Sequence, residues 1–278
     1  MAEKYPPYSV LMTVYTQETP RNLVISVESM FDQTIPPDEF VLVKDGPLSK
    51  GLENKILELQ QRHPNLKTFA LEKNVGAGLA SKFGIPLCTN EYIARMDSDD
   101  YSIPTRIQEE FDAMSKHNAD MVGSVIEEFV GSIDNVVAHR ILPESNDRIR
   151  LFAKARSPIA HSAVLYKKSQ VLACGSYEKY RVAEDMILFS KMLKNGATAY
   201  NIQHPLVYMR VNPNFYKRRG GFRYFGKIMQ TNLFLLLHVK WMPPHIFAIR
   251  SAALTVNCFA PNFVRRFLYN TFLRKKRA

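Results

Sequence analysis

The sequence predicts an α/β fold, a mostly parallel sheet with helices on both faces. Two features of the chain carry that expectation. Short apolar, β-rich runs alternate with helical patterns at close spacing from residue 9 to residue 96, which is the signature of strand–helix–strand units. With 278 residues, of which 46% are hydrophobic and 23% charged, the chain is long enough for one large domain with a packed core and a smaller tail.

The elements follow in order. Ser9–Tyr15 (SVLMTVY) is a buried first strand. Thr19-Pro20 opens a helix with proline in its first turn, and Leu23, Val27 and Met30 then recur at helical spacing. Glu39–Val43 is a second strand, ending at Lys44-Asp45-Gly46-Pro47, and Lys55–Arg62 a second helix. Leu66–Leu71 is a third strand, followed by the loop Asn74–Gly78 and a helix to about Pro86. Glu91–Met96 is a fourth strand, ending at Asp97-Ser98-Asp99-Asp100. Beyond it, Met121–Val130 and Val136–Ile141 read as strands around a turn, Ser145–Lys154 as a helix and Ala163–Tyr166 as a strand. Glu184–Lys194 is a helix stopped by Asn195-Gly196, and Ala199–Val211 returns as a strand.

Charge divides the chain. Residues 186–278 carry 16 of the 37 Lys/Arg and none of the 26 Asp/Glu, which leaves residues 1–185 with 21 cations against 26 anions. A basic, aromatic tail on an acidic body suits a polyanionic partner such as a membrane surface, nucleic acid or a phosphorylated substrate. The longest uncharged run of that tail, Ser251–Val264, has 14 residues, fewer than the roughly 18 needed to cross a bilayer. Helices lying on a membrane, or a helical cap packed on the core, are the two readings of it. Cys88, Cys174 and Cys258 form no paired framework and no metal motif, and the N-terminus lacks the apolar run of a signal peptide; both point to reduced thiols in a cytoplasmic protein.

In open parallel sheets, ligands bind beyond the carboxyl ends of the strands. Asp45-Gly46, Asn74-Val75-Gly76 and Asp97-Ser98-Asp99-Asp100 all fall there. Three carboxylates in four residues repel one another unless solvated or neutralised. A hard divalent cation, Mn²⁺ or Mg²⁺, would neutralise them, with diphosphate oxygens completing its shell; an exposed acidic turn or a helix N-cap before Pro104 is the equal alternative. The loop Asn74–Ser81 lacks the third glycine of a dinucleotide fingerprint and follows the third strand, not the first. Glu184-Asp185 opens a helix, where carboxylates favour the dipole but where one aimed into a cleft would also serve as a general base.

Together SVLMTVY at 9–15, KDG at 44–46, NVGAGLASKFGI at 74–85, ARMDSDDYSIPTR at 94–106 and AEDMILFSKMLKNG at 183–196 resemble the family 2 glycosyltransferases, over about residues 8–212. The resemblance implies the Rossmann-like type A glycosyltransferase fold and transfer of a sugar from a nucleotide-sugar donor to a glycan or lipid-linked acceptor. By that resemblance Thr13, Val14 and Tyr15 cradle the nucleoside, Asp45 binds the base (usually uracil), and Asn74, Gly76, Lys82, Arg95, Asp97 and Ser98 line the donor site. Asp97 and Asp99 match the Asp-x-Asp motif, with Asp99 the main metal ligand; Asp185 of the Glu184-Asp185 pair matches the catalytic base. Segment 157–167 resembles members that build bacterial capsular or lipopolysaccharide repeats, and makes His161 an acceptor or metal contact, or a structural histidine.

Lys44 departs from the pattern, replacing an acidic residue, and reads as solvated. Lys82 stands where asparagine is frequent. The absent QxxRW signature favours addition of single sugars over processive polymerisation. Inversion by direct displacement is the expected chemistry. The expected arrangement is a catalytic domain over 1–215 (donor half about 8–100, acceptor half about 101–215) and a basic tail over 216–278 on an anionic membrane surface, at the inner face of the cell membrane, with no nucleic-acid partner. The competing readings are a metal-dependent sugar-phosphate nucleotidyltransferase and a non-catalytic polyanion-binding protein. The first lacks a Gly-rich basic signature near strand one, and the second leaves both acidic motifs unexplained.

Overall fold

A computed structural model of the protein describes residues 5–211 and 221–259. The basic runs at 217–219, 265–266 and 274–277, and Phe272, lie outside the described residues.

A nine-stranded sheet forms the centre. Strands β1 (Tyr8–Val14), β2 (Glu39–Lys44), β3 (Leu66–Ala70) and β4 (Tyr92–Asp97) are parallel, in the order β3-β2-β1-β4. The chain therefore winds outward from β1 in both directions, and the crevice beyond the ends of β1 and β4 is a topological switch point. The register sets Thr13 beside Asp97 there.

The second half enlarges the sheet with mixed pairing. Strand β8 (Val164–Lys167) runs antiparallel between β4 and β6 (Met121–Phe129). Strand β7 (Val136–Arg140) forms the expected hairpin with β6, and β9 (Ala199–Arg210) lies parallel to β6. The two-residue β5 (Tyr101–Ser102) closes that edge against β9.

Alternating side chains of the strands feed two cores. Val10, Met12 and Val14 face helices α1 (Pro20–Phe31), α2 (Lys50–Arg62) and α4 (Arg106–Lys116). Leu11, Val41 and Val43 face the other layer, made of α3 (Ala77–Gly84), α5 (Asn146–Ala153), α6 (Lys168–Ala173) and α7 (Glu184–Lys194). Helices on both faces are what a buried parallel sheet requires.

Local signals set the helix ends. Thr19 caps α1, its hydroxyl accepting from the Asn22 N–H at 3.2 Å, and Pro20 follows. Ser49 caps α2, which starts at Lys50, five residues before the Lys55 expected from the sequence. Helix α7 stops at Asn195, with Gly196 at φ +96°.

Two further helices, α8 (Gly221–Leu237) and α9 (Pro244–Phe259), form a hairpin whose inner face packs Leu235, Val239 and Met242 on Met186 and Ile187 of α7. Among the described residues no helix is long and apolar enough to cross a membrane. Cys88, Cys174 and Cys258 are all free thiols.

Candidate active site

Each strand end at the switch point contributes polar groups. Asp45, at the end of β2, is buried and holds the next loop. Its Oδ1 accepts from the Val75 N–H at 2.7 Å; its Oδ2 accepts from the Gly76 N–H at 3.0 Å and from Asn74 Nδ2 at 2.9 Å. A carboxylate has about four acceptor positions, so one remains for a ligand N–H. Gly76 sits at φ +98°, which residues bearing a Cβ resist, and starts α3.

The β1 end presents Thr13 and Val14, both buried, and the half-exposed Tyr15. In β4, Arg95 is fully buried; its guanidinium pairs with Asp97 and reaches Thr13 Oγ1 at 3.4 Å. The Asp97 carbonyl accepts from Ser26 Oγ at 2.6 Å, anchoring the acidic loop to α1. Arg210, at the end of β9, donates its N–H to Asp100 Oδ1 at 2.8 Å and its Nε–H to the Asp99 carbonyl at 3.0 Å.

The acidic loop is electrostatically loaded. Burial pushes the Asp97 carboxyl up, but Arg95 and His161 outweigh it and hold the group below the usual range. Asp99 is pushed up to about 7 by burial, Asp97 and Glu18. Asp100 is raised well above the usual range by burial, Asp99 and Asp97. Such crowding favours a cation at Asp99 or protonation of its carboxylate. Glu18 joins the cluster through Ser98, whose hydroxyl donates to Glu18 Oε2 at 3.3 Å.

On the facing side, Ser157 Oγ donates to Asp185 Oδ2 at 2.6 Å, which orients the carboxylate at the start of α7. Glu184 is pushed up to about 7 by burial, Asp185 and Asp97. His161 is hydrogen-bonded to the Tyr177 hydroxyl at 2.6 Å. Burial and Arg95 lower it to about 4, against the pull of Asp97 and Asp185. The turn His161–Ala163 packs on β4, Ser157 just before it binds Asp185, and His161 feels both acidic motifs, so the 97–99 loop and the start of α7 lie close together.

A seam closes the cleft between the 74–78 loop and the segment before α7. Arg181 Nη2 donates to the Asn74 carbonyl at 2.8 Å, and the arginine stem lies along Gly76. A Cβ on Gly78 would stand 2.9 Å from Glu184 Cβ. Ala183, just before the acidic pair, adopts left-handed φ +57°, a strain that clusters at functional sites.

Of the sequence-derived residues, the fold brings Thr13, Val14, Tyr15, Asp45, Asn74, Gly76, Arg95, Asp97, Ser98 and Asp99 to one end of the sheet, with His161, Glu184 and Asp185 close by. Lys82 is exposed in the last turn of α3. Lys44 is not simply solvated: it forms an ion pair with Glu53 at 2.9 Å, the partner its position on β2 offers on α2. Glu18, Tyr177, Arg181 and Arg210 escaped sequence reading, since none belongs to a local motif, and Ser157 was read only as the start of segment 157–167. No group of three or more His, Cys, Asp or Glu side chains among the described residues forms a metal cage. A divalent ion held by one or two carboxylates plus substrate phosphates needs no such cage, and the crowded Asp97–Asp99 pair fits that mode.

Comparison with known proteins gives this site its family. Residues 9–170 match Glycosyl transferase family 2. An Escherichia coli UDP-Gal:alpha-D-GlcNAc-diphosphoundecaprenol beta-1,3-galactosyltransferase is 35% identical over 225 residues, covering 81% of each chain. The amylovoran biosynthesis glycosyltransferase AmsE of Erwinia amylovora is 33% identical over 226 residues, 80% of this chain and 83% of that one. In fold, the chain is similar to S. aureus TarS 1-349 in complex with UDP-GlcNAc, with a TM-score of 0.66 and 17% identity over 92% of this chain and 77% of that one. Sugar transfer displaces the nucleotidyltransferase and non-catalytic alternatives, and the chain belongs to glycosyl transferase family 2, with bacterial glycosyltransferases among its relatives.

Proposed function

We propose that the protein transfers a single sugar, with inversion, from a UDP-sugar to a hydroxyl of a lipid-linked glycan. The observation that supports this reading is the nearness of Asp97–Asp99 to Glu184–Asp185, bridged by the segment from Ser157 to His161. The nucleoside lies along Thr13, Val14 and Tyr15, with Asn74 and Gly76 beside it. Asp45 offers the base its one spare acceptor position.

Asp185 takes the proton of the attacking hydroxyl, on the Oδ1 that Ser157 leaves free. His161, held to Tyr177, shapes the acceptor side. Asp99, assisted by Asp97, would hold Mn²⁺ or Mg²⁺, which supplies charge neutralisation at the departing diphosphate. Arg95 keeps Asp97 oriented toward that position. Displacement in one step needs no nucleophilic carboxylate, and none besides the proposed base is assigned.

The lipid-linked acceptor is supported by the E. coli relative, which acts on a diphosphoundecaprenol-linked sugar. The division into a catalytic body over 1–215 and a basic tail over 216–278 belongs to the same proposal, as does peripheral residence on the inner face of the cell membrane.

A thermal-shift screen of nucleotide sugars, each with and without Mn²⁺ or Mg²⁺, tests the reading. A ligand at 100 times its Kd adds about 2.7 kcal/mol, a rise of roughly 5–10 °C for a chain of this size. UDP-sugars should give that rise, and only with the metal. A flat response to every nucleotide sugar removes the donor proposal; equal rises without metal remove the metal from it.

A further inference from the structure

We infer that the outward face of α9, with the Phe222–Phe259 end of the helix hairpin, is a docking surface for an anionic lipid membrane. The hairpin is antiparallel: the tilted rings of Phe222 and Phe259 have centroids 4.7 Å apart, and Asn232 accepts from Arg250 Nε at 3.2 Å. Its inner face is committed to the body of the protein, where Thr231 Oγ1 donates to the Val182 carbonyl at 3.0 Å.

Among the described residues its outer face packs on no element of the body. Ile249, Ala252, Val256 and Phe259 are all exposed and recur at helical spacing along one side of α9. Ile249 is 63% exposed, Val256 51% and Phe222 82%. Scattered exposed apolar residues are ordinary, but a continuous stripe ending in an aromatic pair marks an interaction surface.

Charge selects the occupant. No Asp or Glu follows Asp185 in the chain, and α8 exposes Arg223 and Lys227 beside Phe222. Lys217-Arg218-Arg219 directly precedes Gly221, and Arg265-Arg266 follows Phe259 by six residues. An apolar stripe on two helices that carry Arg223 and Lys227 at the surface and no Asp or Glu matches anionic headgroups over acyl chains. A second copy of this chain would set like charge against like. The hairpin rests on the segment that leads into Glu184-Asp185, so docking would fix the cleft's orientation to the bilayer.

The test uses the full chain and co-sedimentation with vesicles of phosphatidylcholine, with and without phosphatidylglycerol. Wild type should sediment with the anionic vesicles and release at high salt. Ile249→Gln with Val256→Gln should lower that partitioning at least about tenfold, with the melting temperature unchanged because both side chains are exposed. No sedimentation of wild type with anionic vesicles, equal binding to neutral ones, or undiminished binding by the double variant would overturn the inference. So would a wild-type dimer in vesicle-free solution that the double variant dissociates, since a second copy would then own the face. None of these outcomes depends on sugar transfer.

Discussion

One added methyl at Gly78 sets helix propensity against a steric contact. Gly78 lies in the first turn of α3 without a positive φ, so alanine there would by itself favour the helix by up to about 1 kcal/mol. The new Cβ, however, would stand 2.9 Å from Glu184 Cβ and 3.1 Å from Glu184 Cγ. Ordinary carbon contacts lie at about 3.5–4.0 Å, so the two helix starts must separate by roughly 0.6–1 Å. Neither start yields freely, because α3 and α7 are both packed on the sheet. Misplacing a catalytic group by about 1 Å costs on the order of 10²-fold in rate. Gly78→Ala should therefore lower kcat by about 10²-fold, while its melting temperature stays within a few degrees of wild type. Steady-state kinetics at saturating donor and acceptor, beside a thermal melt, checks both halves. A folded variant with kcat within about twofold of wild type would refute the link between the α3 start and the acidic pair.

Arg181→Ala removes the hydrogen bond to the Asn74 carbonyl across the seam; it should raise donor KM about threefold to tenfold, with Arg181→Lys recovering part of the loss in the same kinetic assay. In metal-free protein, Asp99, Glu110 and Glu184 are all held near 7, above their ordinary 3.8 and 4.5. Their stabilising contribution is full below the unfolded values and lost as pH rises through about 7. His161, lowered from 6.5 to about 4, acts in the opposite sense only below 6.5. Melting temperature should thus fall between pH 6.5 and about 8; a rise over that interval would contradict the assignment.

Sequence reading reached the elements whose signals are local. Thr19-Pro20 and Asn195-Gly196 mark helix ends through backbone chemistry, and β1 and β2 carry continuous apolar runs. Helix α2 was read late because Gly51 follows Lys50 and hides its capped first turn. Helix α4 was missed because its buried face carries the Arg106–Glu110 ion pair, both side chains fully buried, which breaks the apolar periodicity. The antiparallel insertion of β8 between β4 and β6 depends on pairing across distant segments, which no local pattern encodes. The site divides in the same way. Asp45, Asp97, Asp99 and Asp185 stand in motifs, whereas Glu18, Ser157, Arg181 and Arg210 reach the cleft only through tertiary folding. Part of Asp45's carboxylate also has a second use that no motif discloses, as the anchor of the 74–76 loop.

The proposed role of Asp185 is tested most directly by Asp185→Asn, with turnover and donor affinity measured on the same preparation. The side chain keeps its size and can still meet Ser157, but it cannot take a proton. The account predicts a turnover loss of about 10²–10⁴-fold with donor affinity within a factor of about two. Turnover like that of wild type, in a variant that still binds donor, would contradict it.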